Sequence, residues 1–296
     1  MTAAWPELLT EDSSGFPKRL AEALLSVVFP PHCLLCKGFA PRLDLHCVCL
    51  SCWKALPALR EPWCGRCGLP LESAAAVTGI QSVLCGECLR QPPPYSVARA
   101  CGRYEGNLRE LIHHYKFSGR KDLVHPLGRW MQHVLKGIPE LESHTLVVAV
   151  PLHPKRQRQR GFNQADWLAR RLCVGTGRIH ARQILVRGKD TPPQSGLTDA
   201  QRRENIRGAF QVRSTEKIRD RNILLVDDIF TTGSTLEACS RALLQAGAAS
   251  VGIFTLARVA HSGCGDSDSA RTAVAEKERF VADDTNNANG REWRRR

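Results

Sequence analysis

The residues most suited to binding or catalysis by type and spacing are two adjacent carboxylates at the end of an apolar run. Residues 224–235 spell LLVDDIFTTGST, in which Asp227 and Asp228 follow three apolar residues. Adjacent like charges raise the free energy unless a ligand or a cation offsets them. Carboxylates accept hydrogen bonds from hydroxyl groups such as those of a ribose diol. The acid pair therefore predicts a contact with a sugar or a cation.

The small residues that follow the acid pair supply the complementary chemistry. Thr231, Thr232, Ser234 and Thr235 are hydroxyl donors, and Gly233 lets the backbone approach a ligand without a Cβ atom. Backbone N–H groups of such a loop and of a helix N-terminus bind anions. Donors for a phosphate next to carboxylate acceptors for a diol together predict a binding site for a ribose 5-phosphate. Two alternatives are an Mg²⁺-binding phosphotransfer site and a simple turn followed by a helix N-cap.

Cysteine pairs indicate metal binding in the N-terminal third. Eight of the 13 cysteines form four C-x-x-C pairs. Two such pairs supply the four thiolates of a tetrahedral zinc site, which has no open position and is therefore structural. Sequential pairing gives a first group and a second group, namely Cys33, Cys36, Cys49, Cys52 and Cys64, Cys67, Cys85, Cys88. Cross-brace pairing, Cys47 in place of Cys49, and redox-active pairs are the alternatives, and the cysteines at 101, 173, 239 and 264 are expected in the core or the tail.

Strands and helices must position these groups. The apolar runs 146–150, 223–226 and 250–257 predict buried parallel strands. Residues 163–174 and 235–247 repeat apolar residues at helical spacing, so each predicts a helix that follows a strand. This alternation indicates an α/β domain, in which ligands bind at the carboxyl ends of the strands. The acid pair is expected at that edge.

Composition divides the chain into four parts. We predict an amphipathic helical lead-in over 1–30, a metal-binding segment over 31–92, an α/β domain over 95–260 and a disordered polar tail over 261–296. No apolar stretch approaches the roughly 18 residues of a membrane span, and the acidic N-terminus is unlike a secretory signal. We expect a cytoplasmic protein without membrane insertion.

The formal net charge of +13 favours polyanionic ligands. Residues 153–221 contain 17 Lys and Arg against six Asp and Glu, a surplus of eleven. That surplus exceeds what one phosphorylated sugar needs, so single-stranded DNA is a second candidate ligand. Aromatic residues in this stretch are sparse, and no stacking platform is evident from the sequence.

Several motifs together resemble a known family. LLVDDIFTTGST resembles the phosphoribosyl-pyrophosphate (PRPP) motif of type I phosphoribosyltransferases. With FPPHCLLC, the tandem cysteine pairs, VAVPLHPKRQRQRGFNQADWLA and TPPQSGLTDAQRRENIRGAF, the chain resembles the ComF family, including GntX-like proteins, over roughly residues 20–258. The resemblance implies a type I phosphoribosyltransferase fold, with a mainly parallel sheet flanked by helices, preceded by a small double zinc ribbon.

The resemblance also implies roles for residues. Asp227 and Asp228 would contact the ribose hydroxyls, and residues 231–235 would hold the 5-phosphate. Mg²⁺ and a basic loop after the first strand would bind pyrophosphate, the candidates being Lys155, Arg156, Arg158 and Arg160; a solvated basic face is the alternative. Residues 187–205 would form a mobile loop that excludes water from the reaction centre, with Thr191, Gln194, Arg202, Arg203 and Asn205 as its polar candidates.

Two functions follow from these expectations. The first is an enzyme that transfers phosphoribose from PRPP to an acceptor, with Mg²⁺ and release of pyrophosphate. The second is a non-catalytic module that senses PRPP or a nucleotide and binds single-stranded DNA; the family's link to competence suggests competence or helicase-type proteins as partners. No residue between 95 and 145 identifies an acceptor, although His113, His114, Tyr115 and Lys116 are candidates for a substrate contact or for a helix surface.

Overall fold

The structure is a computed structural model that describes residues 31–40, 48–71, 83–188, 206 and 208–260. The predicted lead-in and the predicted tail lie outside the described residues. So do the candidates of the predicted mobile loop, Thr191, Gln194, Arg202, Arg203 and Asn205.

A parallel sheet forms the centre of the α/β part. The strands in chain order are β1 (Val97–Arg103), β2 (Leu146–Ala149), β3 (Ile179–His180), β4 (Leu185–Arg187), β5 (Phe210–Val212), β6 (Asn222–Phe230) and β7 (Ser250–Arg258). Five of them form the sheet in the order β1-β7-β6-β2-β3, and each neighbouring pair is parallel. The antiparallel pair β4–β5 stands apart. The three strands predicted from apolar runs are confirmed as β2, β6 and β7.

Helices cover both faces of this sheet. In chain order, the helices of the described residues are α1 (Leu50–Lys54), α2 (Gly86–Arg90), α3 (Gly106–Phe117), α4 (Val124–Lys136), α5 (Pro154–Arg160), α6 (Gln164–Cys173) and α7 (Ser234–Gln245); α3, α4 and α6 pack on one face of the sheet and α7 on the other. The helices predicted over 163–174 and 235–247 are confirmed as α6 and α7. In the described part of the chain, every helix is too short or too polar to cross a membrane.

The central strand β6 explains the two-sided core. Leu224 and Val226 lie in one buried cluster together with side chains of α3, α4 and α6. Ile223 and Leu225, which alternate with them, lie in a second cluster with side chains of α7. Successive side chains of a strand point to opposite faces, so a continuous apolar run is required where helices cover both faces.

The acid pair lies within β6 and not after it, which corrects the predicted end of the strand at Val226. On one side β7 continues to pair with β6 as far as Phe230. On the other side β2 stops where Ala149 pairs with Val226. Asp227 and Asp228 therefore lie one step beyond the end of a neighbouring strand, in the kind of crevice where open α/β sheets bind ligands.

The cysteine-rich segment covers the outer edge of β1. The N–H of Leu59 donates to the carbonyl of Cys101 at 3.1 Å, and the N–H of Arg103 donates to the carbonyl of Pro57 at 2.7 Å. Further along the strand, the N–H of Ala98 donates to the carbonyl of Arg66 at 2.7 Å. The edge of the sheet is thus hydrogen-bonded to the metal-binding segment, which fixes that segment relative to the α/β part.

Candidate functional site

The acid pair lies beside a buried lysine from another element. The Nζ atom of Lys116, in the last turn of α3, lies 2.8 Å from Oδ1 of Asp228. The residue is 8% exposed and Asp228 is 9% exposed. The backbone N–H of Asp228 donates to Oδ1 of Asp227 at 2.8 Å, which orients the Asp227 carboxylate. Removing a charged pair from water is costly unless the pair is closely matched, so the ion pair fixes Asp228 at this edge.

Lys116 is distinct from the three residues that precede it. Tyr115 is buried and donates its hydroxyl to the carbonyl of Gln164 at 3.0 Å, so it stabilises packing between α3 and α6. His113 contacts the Phe117 ring, and His114 lies 3.8 Å from Glu110 on the same helix. Of the four candidates for a substrate contact, Lys116 is the one whose charged atom contacts the acid pair.

The basic stretch after β2 forms a short helix, which corrects the predicted loop. Pro154 occupies the first helical position of α5, and the side chain of His153 accepts a hydrogen bond from the N–H of Lys155. Gly161 ends the helix with a φ of 76°, a left-handed conformation that favours glycine. Local capping therefore makes this polar stretch helical without an apolar face.

Arg160, at the end of α5, lies within electrostatic range of the acid pair. Burial lowers the pKa of its guanidinium, and the charges of Asp228 and Asp227 oppose that decrease. Its Cζ atom lies 4.8 Å from the centre of the Phe117 ring. Arg156 is half-buried and its charge adds to the decrease, whereas Lys155 and Arg158 are exposed. The helix thus directs one arginine toward the acids and leaves two basic side chains in solvent.

The predicted phosphate loop, residues 231–235, called the phosphate loop below, consists of the turn after β6 and the first two residues of α7. Gly233 has a φ of 85°, and a Cβ atom there would lie 2.7 Å from Cε2 of Phe230. The hydroxyls of Thr232 and Ser234 lie 3.0 Å apart, and α7 begins at Ser234. The first N–H groups of a helix have no intrahelical acceptor. The sequence-predicted combination of hydroxyls, glycine and helix start is therefore present immediately after the acid pair.

The predicted mobile loop connects the antiparallel strands β4 and β5. The described residues of this connection include Ile206, which is buried next to Leu185 and Phe210 in the second core cluster. The N–H of Gly188 donates to the carbonyl of Ala209 at 2.9 Å, which closes the base of the connection.

Two groups of four cysteines fit tetrahedral zinc. Within each group the sulfur atoms all lie within 4.8 Å of one another, and the groups are those of sequential pairing: Cys33, Cys36, Cys49, Cys52 and Cys64, Cys67, Cys85, Cys88. The sulfurs of Cys36 and Cys49 are 3.6 Å apart, and those of Cys67 and Cys85 are 3.7 Å apart. Sulfurs at tetrahedral positions around zinc lie about 3.8 Å apart. Cys101 and Cys239 are buried core thiols as predicted.

Burial opposes ionisation of some of these thiols. Burial raises the pKa of the Cys88 thiol to about 12 in the metal-free site, because a charged sulfur loses its hydration there. Burial also raises the pKa of Cys52 in the first group. A cation bound by the four sulfurs would stabilise the thiolate form of every cysteine in a group, which is the role of structural zinc.

Comparisons with known proteins agree with both halves of the molecule. Residues 24–89 match the double zinc ribbon domain, and residues 158–283 match the phosphoribosyl transferase domain. Competence protein F of Haemophilus influenzae is 32% identical over 234 residues, which are 76% of this chain and 96% of that protein. DNA utilization protein YhgH of Escherichia coli is 31% identical over 232 residues, covering 77% of this chain and 97% of its own. Competence protein ComFC of Bacillus subtilis is 29% identical over 218 residues, covering 71% and 84%.

Proposed function

The chain belongs to the ComF family, and from this we propose that it binds PRPP or a related ribose 5-phosphate and transfers phosphoribose to an acceptor during DNA uptake. The names of its relatives, which refer to competence and DNA utilization, support that process. The observation on which the proposal depends is the contact between Lys116 and Asp228, next to the phosphate loop at the end of β6.

Each part of the site has one task in this proposal. The carboxylates of Asp227 and Asp228 accept hydrogen bonds from the ribose diol. Lys116 holds Asp228 in position and offsets its charge. The phosphate loop binds the 5-phosphate through N–H and hydroxyl donors, and Arg160 contacts the pyrophosphate. Such a site accelerates transfer by holding the reacting groups in position and stabilising charge, without a protein nucleophile.

Magnesium suits the donor atoms of this site. Mg²⁺ keeps several waters and binds through one or two carboxylates together with substrate phosphates. The carboxylates of Asp227 and Asp228, next to a phosphate loop, offer this combination. The ion would offset the charge of the pyrophosphate, and the remaining positive charge would come from Arg160.

Isothermal titration of the zinc-loaded chain with PRPP, with and without Mg²⁺, tests the binding site. We expect binding that the double variant Asp227→Asn plus Asp228→Asn weakens, because the diol loses its charged acceptors. Asp220→Asn is the matched control, since Asp220 is an exposed carboxylate before β6. Equal affinities in wild type and double variant would overturn the assignment of the acid pair.

Pyrophosphate release tests the reaction. Wild-type protein with PRPP and Mg²⁺ is supplied with a panel of nucleobases and amines. Release that depends on one acceptor, and that the double variant lacks, supports a phosphoribosyltransferase. Tight PRPP binding without release across the panel would favour the second candidate function, a sensor.

Crowded basic side chains favour the second candidate, in which the protein senses PRPP and binds single-stranded DNA. Burial lowers the pKa of His125 on α4, and the nearby charges of Arg171 and Arg129 lower it further. Burial and Arg129 likewise lower the pKa of Arg171 on α6. Phosphates of a nucleic acid would offset this repulsion.

Fluorescence anisotropy with a single-stranded oligonucleotide tests this surface. The slope of the logarithm of the binding constant against the logarithm of the salt concentration should decrease in magnitude by roughly 1.4 in the variant Arg129→Gln plus Arg171→Gln. An unchanged slope would exclude this surface.

A further inference from the structure

The second cysteine group lies directly against the carboxyl end of β7. Arg258, the last residue of that strand, is 7% exposed. Its Nη2 atom donates to the sulfur of Cys67 at 3.5 Å. No ion pair found among the described residues includes Arg258, and its Nε and Nη1 atoms have no hydrogen-bond partner there. Cys67 is the contact that explains a buried guanidinium at this position.

Electrostatics give a reason for this contact. Zinc with four thiolates has a net charge of minus two, and all four cysteines of the second group are buried. A buried charge requires a nearby opposite charge or a large free-energy cost. Groups that hydrogen-bond to metal ligands orient them and adjust their charge. Arg258 therefore stabilises the zinc-loaded group, and the zinc-loaded group stabilises the buried Arg258.

The same guanidinium contacts Phe230, the last residue of β6 and the one that precedes the phosphate loop. The Cζ atom of Arg258 lies 3.9 Å from the centre of the Phe230 ring, and the two residues are paired across β6 and β7. The buried Tyr95 ring lies edge-on to Phe230, with ring centres 6.3 Å apart. Phe230 is thus held by an arginine and by a second aromatic ring.

Phe230 in turn limits the shape of the phosphate loop. A Cβ atom added at Gly233 would lie 2.7 Å from Cε2 and 3.0 Å from Cζ of the Phe230 ring. The backbone at Gly233 therefore packs directly against the Cε2 and Cζ atoms of the Phe230 ring, with no room for a side chain between them. Movement of the ring would change the position of Gly233 and of the helix start that follows it.

We propose that the second zinc site fixes the shape of the phosphate loop through Arg258 and Phe230, which makes Arg258 a positioning residue for the ribose 5-phosphate ligand. The role of the loop rests on the function proposed above, whereas the mechanical coupling does not require any ligand. In this proposal the second cysteine group, which lies N-terminal to the α/β part, helps to hold the phosphate loop in position.

Amide hydrogen exchange in the zinc-loaded full chain tests the coupling without ligand. In Arg258→Met, we expect exchange in residues 231–236 to accelerate by about 10-fold, because loss of the arginine contact lowers the free energy of local opening, while the centre of β6 at Leu224 and Leu225 stays as slow as in wild type. Arg258→Lys should restore part of the protection, because it keeps the charge but not the planar contact with Phe230. Arg103→Met is the matched control, since Arg103 is the exposed strand-end arginine paired with Arg258.

Variants of the metal ligands give a second measurement if Arg258→Met fails to fold. Cys88→Ser in the second group should accelerate exchange in residues 231–236, whereas Cys36→Ser in the first group should leave it unchanged. The proposal would be overturned if residues 231–236 exchanged at the wild-type rate in both Arg258→Lys and Cys88→Ser. It would also be overturned if Cys36→Ser accelerated their exchange as much as Cys88→Ser does.

Titration with PRPP separates this inference from the proposed function. Wild-type protein that binds no PRPP would refute the function but leave the exchange result to decide the coupling. If wild type binds PRPP, we expect Arg258→Met to weaken binding about 10-fold and Arg258→Lys to weaken it less. Unchanged affinity in Arg258→Met would show that Arg258 does not position the loop for the ligand.

Discussion

The ammonium group of Lys116 and the carboxylate of Asp228 form an ion pair at 2.8 Å between side chains that are 7% and 13% exposed. The pair joins the last turn of α3 to the end of β6, two elements separated by 112 positions in the chain. The position of the acid pair on β6 is thereby tied to the position of α3. Its energetic contribution can be measured independently of any ligand.

Breaking this ion pair from either side should destabilise the protein. Lys116→Met and Asp228→Ala should each reduce the free energy of unfolding by about 3 kcal/mol, because each leaves a buried charge without its partner. The double variant should lose less than the sum of the two. Urea denaturation of the zinc-loaded chain measures these values, and strictly additive losses would contradict the buried ion pair.

A methyl group in the phosphate loop should be harmful. Gly233→Ala places a Cβ atom at a φ of 85° and 2.7 Å from Phe230, so it should cost at least about 1–2 kcal/mol from the backbone alone. We expect a lower melting temperature and weaker binding of PRPP by calorimetry. Gly86→Ala is the control, because a Cβ atom there meets no other atom within 4 Å; equal effects of both variants would argue against a tightly closed loop.

Metal analysis should give two zinc ions per chain. Cys36→Ser and Cys88→Ser remove one ligand from different groups, so each should reduce the content by about one zinc relative to wild type. Mass spectrometry under native conditions measures the stoichiometry. A single zinc in the wild-type chain would refute the sequential pairing of the cysteines.

Stability should fall in mildly acidic solution because of His144. This side chain is 4% exposed, and its Nε2 atom lies 3.2 Å from the hydroxyl of Ser250 and 3.5 Å from that of Ser96. Burial lowers its pKa, and the charge of Arg178 lowers it further. The unfolded chain therefore binds the proton more readily, and stability is lost as the pH falls below about 6.5.

His144→Gln separates this effect from general acid sensitivity. Between pH 7 and pH 5 the variant should lose less unfolding free energy than wild type, as measured by denaturation at each pH. His125, whose pKa is also lowered by burial, remains in both proteins and contributes equally. Parallel pH profiles would show that His144 does not contribute.

The most local features of the site could be predicted from the sequence. Strand β6, the acid pair and the loop that leads into α7 are contiguous, so local residue types predict them in outline, although the strand extends to Phe230 because it pairs with β7. Local spacing predicts the cysteine pairs and favours their sequential grouping, and the positions of the sulfur atoms agree with that grouping rather than with a cross-brace. The helical conformation of α5 was missed because its polar residues have no apolar period, although Pro154 and Gly161 are start and stop signals.

Contacts between distant segments could not be predicted from one sequence. Lys116 lies four residues after Ile112 and eight after Leu108, so helical spacing predicts that it shares their buried face. That spacing does not identify Asp228 as the partner. Arg258 ends an apolar run and contacts Cys67, 191 positions away; only the fold brings the two together.

The hydrogen bonds that the cysteine-rich segment makes to β1 cover an edge strand of the sheet. Loss of zinc would remove the metal's contribution to the folding of this segment and would weaken its cover of the N–H and C=O groups at the outer edge of β1. An unprotected edge strand recruits strands of other chains. Bound zinc would then also protect this edge of the sheet from pairing with strands of other chains.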